Sequence, residues 1–462
     1  MAITSTSPGD RYRVSDHFDL AVIGAGSAGL SVTYAAARLG LRVAIIERGR
    51  MGGECLNAGC VPSKALLAAA HRSEGFTAAR QRIAAAIATI APVDSAERYR
   101  SLGAEVIQGT ARFTGRQSFD VNGKAITARR IVIATGSRPK IPGFCQNIPH
   151  FTNETIWDVA ELPRHLVILG GGPMAFEMAD AFNALGSIVT MVGGDQLLPR
   201  EDPELAAPLI AALQAGGVTF ITQRAIAARP GPVLVLADGS EITGSHLLIA
   251  TGRQVDAGTL NLEAAGVQQG PNGILTDSGL RCIGNKAVFA AGDVAAPQGI
   301  GPQRFTHIAG LHASIIIKRA LFRLPASLPK MPPVRVVYTK PELAQVGFTQ
   351  GQAGPGSKSL TWPFAENDRA IADGETTGLV KLVLDSHNRL IGAGITGPGA
   401  GEMIGLYALM LAQKTKLSAL ASLVLPYPTR AEAGKRAVGA HFATKIFAAG
   451  PSRLVKLLSR LP

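Results

Sequence analysis

The residues most able to do chemistry lie in one stretch, residues 51–64, reading MGGECLNAGCVPSK. Cys55 and Cys60 are five positions apart, a step that turns through roughly 140° on a regular helix. A bridge between them needs Cα atoms about 4.4–6.8 Å apart, so the backbone between them must depart from helix. Gly59 is the residue best placed to permit that, and Gly52-Gly53 allow close backbone approach to a neighbouring group. Pro62 suits a first helical turn, and the run 65–70 is rich in Ala and Leu, so a helix is expected to follow. By itself the pair admits two readings, a redox couple or two neighbouring structural thiols.

The elements that would position this stretch are legible on either side. Residues 18–30 run from an apolar strand through Gly24-x-Gly26-x-x-Gly29 into a helix. In such a turn the first glycine makes the bend and the second lets a pyrophosphate near the backbone. The third allows close helix–strand packing, and the helix N-terminus favours phosphate. A second strand at 43–47 ends in Glu47, placed to meet a ribose hydroxyl. The pattern recurs at 165–175 as Gly170-x-Gly172-x-x-Ala175, with its second strand at 188–192. There the acidic position is Gly193, with Asp195 beyond and no arginine at 193–195, which leaves NADH or NADPH open. Residues 131–136 and 247–252 are apolar strands that each finish in Ala-Thr-Gly. Two dinucleotide-binding units imply two dinucleotides exchanging electrons.

The whole composition sets bounds. A chain of 462 residues, 47% hydrophobic and 17% charged with 53 glycines, suits a multidomain α/β enzyme. No apolar run is long enough to span a bilayer, and residues 1–17 carry no apolar signal core. Four cysteines in so long a chain fit a reducing, cytoplasmic setting, with Cys145 and Cys282 as structural thiols. The net charge of +13 is scattered, so no nucleic-acid partner is expected. The tail differs. Leu454, Leu457, Leu458 and Leu461 share one helical face, with Arg453, Lys456 and Arg460 largely on the other. Such a tail is expected to pack on its own protein or a partner subunit, with contact to a membrane surface as the alternative.

Taken together, the cysteine stretch, both glycine turns and both Ala-Thr-Gly strands resemble the class I pyridine nucleotide–disulfide oxidoreductases. That family includes dihydrolipoyl dehydrogenase, glutathione reductase and mercuric ion reductase. Residues 290–293 resemble its third FAD motif, in which the aspartate, here Asp293, contacts the ribityl and diphosphate region. The resemblance implies an α/β fold with two Rossmann-like dinucleotide-binding domains and a C-terminal α+β dimerisation domain. It implies an FAD domain at 1–149 and 276–328, an NAD(P) domain at 150–275, an interface domain at 329–447 making a homodimer, and a basic amphipathic tail at 448–462. The FAD contacts it implies are Gly24, Gly26, Gly29, Glu47, Gly53, Lys64, Thr135, Gly136, Gly292 and Asp293. NADH or NADPH would lie against Gly170, Gly172, Ala175 and Gly252. The cysteines become a redox-active disulfide, and Glu177 the partner of Lys64 near the flavin. Thr306 is read as an N-cap of a helix aimed at the flavin, with His307 near its start. Strands are expected at 333–337, 379–383 and 390–394, and helices at 400–413 and 429–447. No metal site is expected.

Two departures bear on the substrate. The family's tyrosine gate over the flavin falls on Pro173. Residues 425–432 carry Tyr427 where disulfide reductases have a proton-donating histidine, while Glu432 is kept. A phenol of pKa ~10 does not shuttle protons at neutral pH as imidazole does, so ordinary dihydrolipoamide or glutathione disulfide turnover is not expected. Mercuric ion reductase also has tyrosine there, and residues 200–203 match its Arg-Glu-Asp-Pro segment. It also carries a C-terminal cysteine pair, whereas the last cysteine here is Cys282. The leading expectation is an NAD(P)H-dependent FAD reductase acting through Cys55 and Cys60 on a disulfide or other thiol-reactive acceptor. The alternatives are flavin-level reduction of a quinone, metal ion or oxygen, and a redox-sensing or membrane-docking flavoprotein.

Overall fold

The computed structural model describes residues 16–255 and 257–461; most of the opening segment read for a signal lies outside them. The chain forms two compact units. The first holds residues up to Cys60, Ile87–Arg138 and Arg253–Pro329, and the second Val61–Ala86, Pro139–Gly252 and the chain from Lys330 onward.

In the first unit, β1 (Asp16–Ile23) pairs in parallel with β2 (Val43–Glu47) and with the strand Lys124–Ile133. Glu105–Gln108 extends the sheet beside β2, and Val288–Ala290 pairs in parallel with Lys124–Ile133. The antiparallel strands Ser118–Val121 and Ala111–Gly115 complete its edge. Leu20 to Ile23, Val43 to Ile46 and Ile131 to Ile133 are all buried. Parallel strands covered on both faces read as unbroken apolar runs for this reason, and each large aliphatic chain so buried contributes roughly 1.5–3 kcal/mol. Between β1 and β2 the crossover is α1 (Ser27–Arg38).

The second unit repeats the arrangement on a smaller scale. His165–Leu169 lies between Ile188–Val192 and His246–Ile249, all parallel, with Thr219–Ile221 at the edge. The same unit contains a five-stranded antiparallel sheet ordered Arg335–Val337, Glu342–Gly347, Leu390–Gly397, Leu379–Leu384 and Lys358–Pro363. Helices Ala400–Ala412 and Glu432–Ile446 pack with it. The expected strands and helices are all present, with shifted ends. The last of these helices starts at Glu432 rather than 429, because Thr429 closes a turn instead, its hydroxyl donating to Pro426 O at 2.9 Å.

Glu201 and Asp202, from the Arg-Glu-Asp-Pro segment, are buried and structural. Arg335 Nε donates to both Glu201 oxygens at 3.0 and 3.2 Å. Asp202 caps the helix Pro203–Ala215 and accepts from Lys381 Nζ at 3.0 Å.

Candidate active site

Each glycine turn leans on the opposite Ala-Thr-Gly. Gly24 has φ +108°, and a Cβ there would sit 2.3 Å from Ala134 O. Gly170 has φ +145°, and its Cβ would sit 2.3 Å from Ala250 O. The strands end at Ile133 and Ile249, and the alanine carbonyl that follows closes off the bend. Gly29 is needed too, since a Cβ there would collide with Gly24 O at 1.9 Å. Gly172 faces open space, and a Cβ at Gly26 would only touch Gly53 Cα, at 4.0 Å.

The cysteine stretch is stitched to the first of these turns. Gly52 N–H donates to Ala25 O at 3.0 Å. Gly53 has φ +60°, and its Cβ would meet Gly26 Cα at 2.7 Å, so only glycine lets the two backbones meet. From Gly53 the chain makes α2 (Gly53–Asn57), which carries Cys55. The Asn57 side chain ties α2 back to Met51 O and Gly53 O at 3.0 and 2.8 Å. The helix breaks at Ala58 and Gly59, as a thiol pair at this spacing requires, and α3 (Cys60–His71) begins at the second cysteine.

Cys60 is exposed and Cys55 half-buried, both with free thiols. A hydrogen bond with Cys60, then burial, then the charge on Cys60 push the Cys55 thiol well above its ordinary range. Cys60 is the sulfur whose surroundings favour charge. It occupies a helix N-terminus, where the dipole favours a thiolate. Its Sγ lies 3.3 Å from Thr306 Oγ1. Thr306 was expected to cap the helix Thr306–Ile316, but Phe305 holds that position, and the threonine hydroxyl is turned to sulfur instead. His307 is exposed and stacks on Phe305, with ring centroids 5.3 Å apart.

The other expected FAD residues of this unit gather around the same turn. Glu47 accepts from Ala25 N–H and Gly49 N–H, both at 2.7 Å. Thr135 Oγ1 is buried without a hydrogen-bond partner, and beside it Gly136, at φ +73°, faces open space. Asp293 accepts from Ser137 Oγ at 2.6 Å and lies 3.5 Å from Arg253 Nε. Arg253 also donates to Ser137 Oγ and O, both at 2.7 Å, and pairs with Glu54, the neighbour of Cys55. Ser137 and Arg253 were missed in the sequence, although each directly follows an Ala-Thr-Gly. Gly292 N–H donates to His312 Nδ1 at 3.0 Å, and burial pushes the His312 imidazole down to about 4. Glycine clearance, an orphaned hydroxyl and helix-end N–H groups fit an elongated diphosphate such as FAD.

In the second unit Lys64 Nζ lies 2.8 Å from Glu177 Oε2. Glu177 is almost fully buried, with Lys64 more open at 35%. Glu177 also accepts from Tyr338 N–H at 3.2 Å, and the Tyr338 ring lies 4.4 Å from the ammonium. His71 and Asp180 make a second pair at 2.8 Å between the same two helices. Pro173 is the first residue of the helix Pro173–Ala184, where its missing N–H costs nothing. Gly170 makes the turn and Ala175 is buried, while Gly172 and Gly252, the latter at φ +111°, face open space that fits a nicotinamide dinucleotide. Asp195, beyond the second strand, is paired with Arg224.

Tyr427 is 70% exposed. Interaction with the Asp368 carboxylate raises the phenol above its ordinary range, and the charge of Glu432 adds to it. Glu432 accepts from Thr429 N–H at 3.3 Å.

Residues 18–351 match the family model for the pyridine nucleotide-disulphide oxidoreductases, and 333–438 match its dimerisation domain, which supports a homodimer. A mercuric reductase of Streptomyces lividans is 34% identical over 91% of this chain and 95% of its own. A dihydrolipoyl dehydrogenase of Thermus scotoductus is 32% identical over 90% and 95%. Among solved structures, the Cu(II) complex of the HOCl-induced flavoprotein disulfide reductase RclA from Escherichia coli is 27% identical. It superposes with a TM-score of 0.84 over 92% of this chain and 99% of that one. The chain belongs to the pyridine nucleotide-disulphide oxidoreductase family, as an enzyme with FAD and NAD(P)H for cofactors.

Proposed function

We propose that the enzyme passes electrons to a redox-active Cys55–Cys60 disulfide and on to a disulfide or other thiol-reactive acceptor. The observation that carries this reading is the break between α2 and α3 that sets Cys55 and Cys60 on either side of it, with Cys60 at a helix N-terminus beside Thr306. Bound FAD and NAD(P)H would supply hydride chemistry, nicotinamide C4 releasing the electron pair and the flavin relaying it. Two electrons open the sulfur–sulfur bond, leaving Cys60 as thiolate and, after uptake of one proton, Cys55 as thiol. Thr306 Oγ1 and the α3 N-terminus hold the charge on Cys60. Cys55 then meets the acceptor and returns the pair to the disulfide state as the acceptor is reduced. Lys64 and Glu177 tune the charge near the flavin, and Tyr427 and Glu432 line the pocket of a partner subunit. The FAD domain spans 1–149 and 276–328, the NAD(P) domain 150–275 and the interface domain 329–447. Buried thiols at Cys145 and Cys282 suit a reducing cytoplasm.

One observation favours a second acceptor class. With Tyr427 at this position, its phenol raised by Asp368, no imidazole serves a leaving thiol. A soft metal ion held by two thiolates needs no such proton, and relatives at 32–34% identity are named mercuric reductases. Anaerobic titration with NADPH and NADH tests the proposal. Uptake of two electron pairs, with the long-wavelength absorbance of a thiolate beside flavin, is expected. Uptake of a single pair, or full acceptor turnover by Cys55→Ser, would sink it. Hg(II)- or Cu(II)-dependent NAD(P)H oxidation lost in the same variant would select the metal acceptor.

A further inference from the structure

The helix Ala449–Leu458 has no buried residue. Leu454, Val455, Leu457, Leu458 and Leu461 are each more than half exposed, as are Ile446 and Phe447 just before it. The tail therefore does not pack on its own chain, one of the two placements expected for it beside packing on a partner subunit. At about 100° per residue, Leu454, Leu457 and Leu458 fill an arc of roughly 100°. Arg453 and Lys456 fill an arc of about 60° centred roughly 120° away. The cations thus flank the apolar face instead of opposing it. Long basic stems in that position can reach headgroups while the leucines sink beneath them.

Charge says what covers this face. From residue 433 to residue 462 the sequence has no Asp or Glu, while Lys435, Arg436, Lys445, Arg453, Lys456 and Arg460 are all basic. Two such tails from two copies would repel each other, whereas an anionic surface is complementary. Among the described residues no helix is long and apolar enough to cross a membrane, so the tail would lie in the interface. We propose that residues 446–461 dock the enzyme on an anionic lipid bilayer, leucines at the acyl boundary and cations among the headgroups. This rests on the tail alone, not on the assignment of the acceptor.

Co-sedimentation of the full-length holoenzyme with vesicles tests it. Phosphatidylcholine vesicles containing phosphatidylglycerol should pull the protein down at low salt, and vesicles of phosphatidylcholine alone should not. Raising salt should release it, because screening shortens the reach of the cations. The double variant Leu454→Ser/Leu458→Ser and the triple variant Arg453→Gln/Lys456→Gln/Arg460→Gln should each lower the bound fraction by about tenfold. Both alter only exposed side chains, so NAD(P)H oxidation and dimer elution should stay unchanged. No binding to the mixed vesicles, or equal binding to neutral ones, overturns the proposal. So does conversion of the dimer to monomer by the serine variant, which would mean that a second copy covers the leucines.

Discussion

Cys60 and Thr306 stand 246 positions apart, yet the sulfur finds the threonine hydroxyl at 3.3 Å. That sulfur is thereby favoured as the anion, while its hydrogen bond, burial and its charge, in that order, raise the Cys55 thiol. Tyr427 lies at the other extreme, since Asp368 raises a phenol that already ionises too high. Adding an imidazole there should restore proton transfer to a leaving thiol. We expect Tyr427→His to raise NADH-dependent lipoamide or glutathione disulfide turnover by about 10²-fold, and Tyr427→Phe to change it less than about threefold. Steady-state assays across pH 6–9 check this. A histidine variant no faster than the parent would show that the acceptor pocket, not the missing acid, sets the rate.

At the scale of elements, the repeated Ala-Thr-Gly explains the repeated glycine turn. In each unit an alanine carbonyl occupies the space a side chain at the first glycine would need. Residues 290–293 are held differently, by an imidazole on the helix Thr306–Ile316 that accepts the Gly292 N–H. His312 has its pKa lowered by burial, from 6.5 to about 4. The unfolded chain thus binds the proton more readily than the folded one. Its contribution is complete above the unfolded value and is lost as pH falls from about 6.5 towards 4. The whole window is worth about 3 kcal/mol. Urea unfolding at pH 7.5, 5.5 and 4 should show this slope, and His312→Gln should flatten it. An identical slope in the variant would place the acid sensitivity elsewhere.

For the molecule as a whole, the charges that hold the second unit together are drawn from far along the chain. Lys381, on the strand Leu379–Leu384, reaches Asp202 at 3.0 Å and Glu204 at 2.7 Å. Removing one partner strands a buried carboxylate, so Lys381→Met should cost about 3–5 kcal/mol. Asn at 202 keeps the helix cap without the charge. The double variant Lys381→Met/Asp202→Asn should therefore recover much of that loss. Thermal and denaturant melts of both variants decide the matter, and a double variant no better than the single one would refute the pairing argument.

What the sequence by itself determined was periodic and local. Apolar runs, glycine turns, the spacing of the thiols and the amphipathic tail follow from steric and hydrophobic rules that act within a few residues. These gave the two nucleotide-binding units, the broken helix between Cys55 and Cys60, and the sheet from residue 335 onward. The Lys64–Glu177 pair came from family resemblance, not from spacing. Only tertiary structure decided the partners. Thr306 at Cys60, Arg253 spanning Glu54 and Asp293, His312 under Gly292, and Asp368 at Tyr427 all lie too far apart in the chain for any pattern to reveal. Side-chain chemistry is written in the sequence, but the hydrogen-bond partner that sets a group's charge depends on which distant backbone is folded against it.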